Sequence, residues 1–432
     1  MQAVGRCCSR RCSLACYARN FLLQERLVRT HTALVSCAAA SAAPEAADAV
    51  TSYLSQPVTE VQHVPVPLCK RAASHVEQLS ALAGWRQCVI GQIQEVKDAF
   101  EAADGGPGAG ELQREVIWAL DDAIAAWREQ EQQQWQPCSW QQLDLELQAA
   151  GRRNRPTGGW QVLLRAPLQQ LQRLWQLRLQ DRVPFQYLIH TAHWRDLVLS
   201  VGPGILCPRP ETEAMVDLAA AAVAANPALA AAPWADLGTG SGAIAIGTAR
   251  LLQALQQGQQ QNARQRKQQQ QQQGVQQPQV FAVDLSPTAV AYTTANAQAC
   301  GVPDVVRVVQ GSWYEPLQQH QRQQQEQQQQ REEQEPQQQQ QQPGQQQREA
   351  QQQQQQQQQH GWLGGVLSNP PYIPAVQMPG LQAEVGRHEP WSALDGGPGE
   401  GLDSLQVICS GAADMLMPGG FIALEVRPDV VS

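Results

Sequence analysis

Ser368-Asn369-Pro370-Pro371-Tyr372 combines groups that together can hold a flat amino group. An Asn side-chain oxygen and the Pro370 carbonyl each accept one N–H, while the Tyr ring packs against the π-face. Held in this way, the nitrogen lone pair has one direction left, toward an electrophile. The run follows the apolar Gly365-Val366-Leu367 and so sits where a buried strand would end, the usual place for ligands in an α/β sheet. Taken alone, however, an Asn-Pro-Pro sequence reads first as turn punctuation.

Residues upstream shift that balance. Trp234-Ala235-Asp236-Leu237 reads as a strand; Gly238-Thr239-Gly240-Ser241-Gly242 follows it, and a helix starts at Ala243. A strand, a glycine turn and a helix N-terminus let a ligand approach bare backbone. A second strand, Val280-Phe281-Ala282-Val283, ends in Asp284, and an acid there can accept both hydroxyls of a ribose. It is expected about 20 residues beyond the glycines. Asp284 lies 42 residues after Gly242, but the Gln-rich stretch 256–278 supplies 23 of them and leaves 19. A third strand, Val305–Val309, leads to Gly311-Ser312-Trp313, where an indole could cover an adenine or simply fill the core. Gly238, Gly240 and Ala243 also satisfy the dinucleotide fingerprint. The residues alone therefore leave a nicotinamide enzyme and an adenosyl-methionine enzyme both open.

The remaining chain must position these loops. It has 432 residues, is 42% hydrophobic and carries a net charge of −8. That supports folded cores and lacks the basic footprint that nucleic-acid binding needs. No apolar run approaches the ~20 residues of a membrane span. The 11 cysteines form no Cys-x-x-Cys pair, so neither a zinc site nor a disulfide framework is suggested. His190 and His193 have no evident third metal ligand and read as packing or surface residues. Residues 1–44 carry six arginines against the single acid Glu25, the profile of an organellar transit peptide.

Residues 70–182 show helical spacing, in Val116, Ile117, Leu120, Ile124 and Trp127 and again in Leu168, Leu171, Leu174 and Trp175, and predict a small helical domain. Its tryptophans read as core. Residues 183–432 form the α/β domain, with short strands predicted at Leu197–Leu199 and Gly204–Leu206. Pro208-Arg209-Pro210-Glu211-Thr212-Glu213 reads as a helix start. The Gln-rich stretches 256–278 and 318–359 fall between elements and are expected to be disordered or locally helical.

In this order, the glycine turn, strand-end acid, Trp and Asn-Pro-Pro-Tyr closely resemble the protein-(glutamine-N5) methyltransferases of peptide chain release factors, the HemK/PrmC family. The resemblance spans residues 160–426 less the Gln tracts and takes in Pro208–Glu213, Glu389-Pro390 and Gly396–Leu402. It implies a Rossmann-like methyltransferase sheet and an N-terminal domain that docks a release factor. S-adenosylmethionine would be bound by Gly238, Thr239, Gly240, Ser241, Gly242, Asp284 and Trp313, with Asn369 beside both cofactor and substrate. Asn369, Pro370, Pro371 and Tyr372 would hold the glutamine of a Gly-Gly-Gln motif, with Asn369, Pro370 and Tyr372 acting in catalysis. The implied partner is a release factor in an organelle, chloroplast or mitochondrion, with neither nucleic acid nor membrane bound directly. Adenine amino-methylation and an inactive Gln-rich interaction protein are the alternatives. The sequence departs from the family at two points. His190 stands after Tyr187 where a glycine is usual, and only Val426–Ser432 remain for the closing antiparallel strands: either the gene model is truncated or the protein is short, and the second would leave an open sheet edge.

Overall fold

The computed structural model describes residues 58–129, 131–153, 155–266, 280–334 and 361–426. The expected transit peptide, most of both Gln tracts and residues 427–432 lie outside the described residues.

The N-terminal module contains strand β1 (His75–Gln78), helices α1 (Leu79–Val96), α2 (Ala99–Asp104) and α3 (Ala109–Ala123), and strands β2 (Ile124–Glu129) and β3 (Gln136–Pro137). Helix α4 (Trp140–Arg152), strand β4 (Trp160–Leu164) and helix α5 (Leu168–Gln180) complete it. It is mixed rather than all-helical, because its four strands form an antiparallel sheet in the order β1-β4-β2-β3. Val116, Leu120, Ile124 and Trp127 continue one helical stripe in sequence. The helix nevertheless ends at Ala123, and Ile124–Glu129 pairs with β4 instead. Tertiary pairing overrides local periodicity there. Trp85, Trp127, Trp140, Trp160 and Trp175 are core residues as predicted, whereas Trp118 is 51% exposed.

Helix α6 (Phe185–Ile189) packs into the core of that module. It ends at His190, whose φ of 53° is left-handed, so the position where the family usually has glycine does adopt a conformation that favours glycine. A hairpin of β5 (Thr191–Trp194) and β6 (Leu197–Ser200) follows. Gly204–Leu206 is a turn rather than the predicted strand: the Ile205 N–H donates to the Gly202 carbonyl and Gly204 has φ 86°.

The five-stranded sheet alternates strands with helices. Helix α7 (Ala214–Ala225), strand β7 (Trp234–Leu237), helix α8 (Ala243–Arg266) and strand β8 (Val280–Asp284) come first. Helix α9 (Pro287–Ala299), strand β9 (Val306–Gln310), helix α10 (Glu315–Gln334) and strand β10 (Leu363–Ser368) continue it. Helices α11 (Ala383–His388) and α12 (Asp403–Met415) then lead to strand β11 (Leu416–Leu424). All pairings are parallel and the strand order is β11-β10-β7-β8-β9. Both α8 and α10 run on into Gln-rich sequence, the locally helical outcome.

Strands β7 and β10 are buried along their whole length, as central parallel strands are. Gly365 is required in β10 because a Cβ there would lie 2.3 Å from the Trp234 indole. Burying a side chain such as Leu367 contributes about 1.5–3 kcal/mol. Chain order runs outward from β7 through β8 to β9, then returns to β10 on the other side. The carboxyl ends of β7 and β10 therefore flank a topological switch point, where such sheets open a crevice.

Candidate active site

A cavity of about 300 Å³ occupies that crevice, and Gly238–Ser241, Asp284, Trp313, Asn369, Pro371 and Thr212 all line it. The glycine turn leaves β7 with Gly238, Gly240 and Gly242 at φ 76°, 57° and 85°, values that only glycine adopts without strain. Its first two N–H groups both donate to the Val283 carbonyl. Gly242 also needs to be small, since a Cβ would meet Thr293 Cγ2 at 2.9 Å. Thr293 Oγ1 donates to the Gly240 carbonyl at 3.0 Å, and Asn296 Nδ2 donates to the carbonyls of Ser241 and Ser200. Asn296 is fully buried and ties the turn to strand β6. Nothing local in the sequence marks these two residues.

Two acids hold the turn. Asp236 accepts from Thr239 Oγ1 at 2.6 Å and from the Ala245 N–H at 3.0 Å, at the start of α8. Burial pushes its pKa up to about 7, against these two hydrogen bonds. Asp284 accepts from Gly240 N–H and Ser286 N–H, both at 2.9 Å. Burial raises its pKa too, and these backbone donors together with the Leu285 N–H oppose the rise. A carboxylate has acceptor capacity beyond these backbone bonds, which suits a ribose.

The Trp313 ring lies over Gly238, with its edge 3.7 Å from where a Cβ would stand. The residue itself has φ 44°, an uncommon conformation for a bulky side chain that surrounding structure must impose. Bare glycine backbone, an indole and a strand-end carboxylate around one cavity fit a nucleoside cofactor.

The Asn369 loop faces this turn across the crevice. Ser368 Oγ donates to the Leu237 carbonyl and so locks the ends of β10 and β7 together. Asn369 Nδ2 donates to Thr212 Oγ1 at 3.2 Å. Thr212 is 4% exposed and belongs to the Pro208–Glu213 run, whose relation to the site was not legible locally. Glu425 lies against the same pair. Burial raises its pKa, while hydrogen bonds from Thr212 and Asn369 lower it. Asn369 is thus held through its amide nitrogen.

Pro370 is buried and Tyr372 half-buried. The Tyr372 backbone rests on the glycine segment: a Cβ on Gly396 would come within 2.8 Å of Tyr372 Cα, and one on Gly401 within 2.7 Å of its carbonyl oxygen. Arg209 pairs with Glu389, which is itself buried and also accepts from the Cys207 N–H. This pair joins the Pro208–Glu213 and Glu389-Pro390 stretches, two runs far apart in sequence, at one rim of the cavity. The structure therefore brings the sequence-predicted residues Gly238–Ser241, Asp284, Trp313, Asn369 and Pro371 around one cavity, while Gly242, Pro370 and Tyr372 are their chain neighbours and are not among its lining residues.

A buried ion cluster sets the N-terminal module against this domain. Glu384 of α11 accepts from Arg178 in the last turn of α5 and from Arg182 just beyond it, which also pair with Glu115 and Asp104 respectively. Burial pushes Glu384 up, but the two guanidiniums outweigh it and hold the carboxyl below its ordinary value.

Residues 216–324 match a family model described as RMKL-like, methyltransferase domain. Proteins named release factor glutamine methyltransferase are similar over much more of the chain. That of Gloeobacter violaceus is 36% identical over 269 residues, 62% of this chain and 70% of its own length. That of Thermosynechococcus vestitus is 36% identical, covering 62% and 69%. That of Synechocystis sp. is 32% identical over 320 residues, covering 73% and 84%. By sequence, fold and site together, this chain belongs to the release factor glutamine methyltransferase family, the HemK/PrmC group.

Proposed function

We propose that this protein transfers a methyl group from S-adenosylmethionine to the side-chain amide nitrogen of the glutamine in the Gly-Gly-Gln motif of an organellar release factor. The observation that carries this reading is the tethering of Asn369 by Thr212 at the mouth of the glycine-turn cavity. With Nδ2 engaged, the Asn369 oxygen is left to accept a substrate N–H, and the Pro370 carbonyl can take the other. Tyr372, next to the cavity-lining Pro371, would supply the flat surface for the carboxamide. When bound, the cofactor supplies an electrophilic methyl on a sulfonium. Gly238–Gly242, Asp284 and Trp313 would hold its nucleoside.

An amide nitrogen is a poor nucleophile because its lone pair is delocalised. The loop's contribution is therefore orientation and dipolar contact more than proton abstraction. Two acceptors on the N–H groups raise electron density at nitrogen and fix its direction. After transfer, the nitrogen releases one proton and returns to a neutral amide. Residues 70–182 would dock the release factor, residues 183–432 would carry out transfer, and residues 1–44 would direct the protein to an organelle.

The test is transfer of labelled methyl to an organellar release factor, with the acceptor located by tandem mass spectrometry and DNA and RNA offered in parallel. One methyl on the motif glutamine supports the reading. Transfer to nucleic acid in preference to the release factor overturns it in favour of adenine methylation. A fluorescent fusion of residues 1–60 that stays diffuse in the cytosol would remove the organellar part.

A further inference from the structure

Away from the cavity, Cys69, Asp122 and His193 converge from three separate elements, with one potential ligand atom from each lying within 4.8 Å of the others. Cys69 sits in the turn Leu68–Lys70, Asp122 in the last turn of α3 and His193 on β5. His193 Nε2 and Asp122 Oδ1 are 3.0 Å apart. The other Asp122 oxygen, Oδ2, is buried and has no hydrogen-bond partner among the described residues. A buried carboxylate oxygen left unpaired is costly, and it calls for a donor or a cation.

We propose that these three side chains bind one divalent transition-metal ion of the zinc type, clamping the N-terminal module onto the β5–β6 hairpin. The donor set of one sulfur, one nitrogen and one carboxylate oxygen suits zinc, with a fourth position open to water. A thiolate, a carboxylate and a neutral imidazole balance the two charges of the ion. Binding displaces the Cys69 thiol proton, and the His193 proton where the imidazolium is present. The same junction is already fastened by a hydrogen bond from the Leu68 N–H to Thr191 Oγ1 at 3.1 Å. A metal there would reinforce an existing contact between the two modules without forming a new one.

The full chain, stripped with a chelator under reducing conditions and titrated with Co(II), tests this. His193 is 56% exposed in its side chain, so His193→Ala should fold, and it keeps all 11 cysteines. Wild type should bind one more equivalent of cobalt than His193→Ala, with tetrahedral visible bands that zinc displaces. Cys69→Ser should lose the thiolate-to-cobalt charge-transfer band of that equivalent. Zinc at about a hundred times its dissociation constant should raise the wild-type melting temperature by roughly 5 °C and leave His193→Ala unmoved. Equal metal stoichiometry in wild type and His193→Ala would overturn the proposal. So would a wild-type charge-transfer band unchanged in Cys69→Ser.

Discussion

Replacing Thr212 by Val removes one hydroxyl and keeps the shape of a side chain that is almost completely buried. The lost interactions are the 3.2 Å hydrogen bond from Asn369 Nδ2 and the hydrogen bond of the Thr212 hydroxyl to Glu425. A neutral hydrogen bond of this kind contributes about 0.5–1.5 kcal/mol. Losing the full orientation of a reacting group costs more, ~2.7–4 kcal/mol by analogy with oxyanion-hole deletions. Glu425 still lies against Asn369, so the carboxamide is loosened rather than released. The expected loss is therefore near the smaller figure, about tenfold in turnover at ~1.4 kcal/mol, with cofactor affinity unchanged because the glycine turn and Asp284 are untouched. On this reading, Thr212 acts on turnover through Asn369. In a double-mutant cycle, Thr212→Val should then cost almost nothing when Asn369 is already Ala. Single-turnover methylation of a release factor, alongside calorimetry with S-adenosylhomocysteine, gives both readouts. Additive losses in the double variant, or a wild-type rate in Thr212→Val, would refute the positioning role.

Three further outcomes are expected. Glu384→Gln leaves Arg178 and Arg182 with less compensation in a buried cluster, and should destabilise by about 3–5 kcal/mol in urea unfolding followed by tryptophan fluorescence. The folded-state pKa of Glu384 is depressed, so its contribution is present above the ordinary carboxylate value and lost as pH falls through the folded one. Wild type should therefore lose stability below about pH 4.5 more steeply than Glu384→Gln. Gly242→Ala combines a left-handed φ of 85° with a 2.9 Å clash on Thr293, and should reduce stability by more than the ~1–2 kcal/mol that a left-handed alanine alone costs. Gly238→Ala meets only ordinary contact with Trp313, so it should fold better than Gly242→Ala yet bind S-adenosylhomocysteine more weakly than wild type; calorimetry and thermal melts on the pair separate the two effects.

The glycine-turn half of the candidate site was legible because its determinants are local. A strand, a glycine turn and a strand-end acid at the right spacing are contiguous once the Gln tract is discounted, and Asn369 follows its own strand directly. What escaped notice depends on distant pairs. Thr212 and Asn369 are 157 residues apart, Arg209 and Glu389 180, and Arg182 and Glu384 202. No propensity or period encodes such contacts. The antiparallel sheet of the N-terminal module was hidden for a different reason: Ile124 and Trp127 continue the apolar stripe of α3, and only pairing with β4 decides between helix and strand. His193 read as a surface residue because its neighbours Asp122 and Cys69 are brought to it by the fold from 71 and more residues away.

The central claim is that Asn369 orients the substrate nitrogen beside a cofactor held by other residues. The most direct measurement pairs single-turnover methylation of a release factor by Asn369→Ala with its affinity for S-adenosylmethionine. Turnover should fall about a hundred- to thousandfold while cofactor binding falls only modestly, and Asn369→Asp should bind cofactor at least as well as wild type yet transfer more slowly. A wild-type transfer rate in either variant would contradict the account.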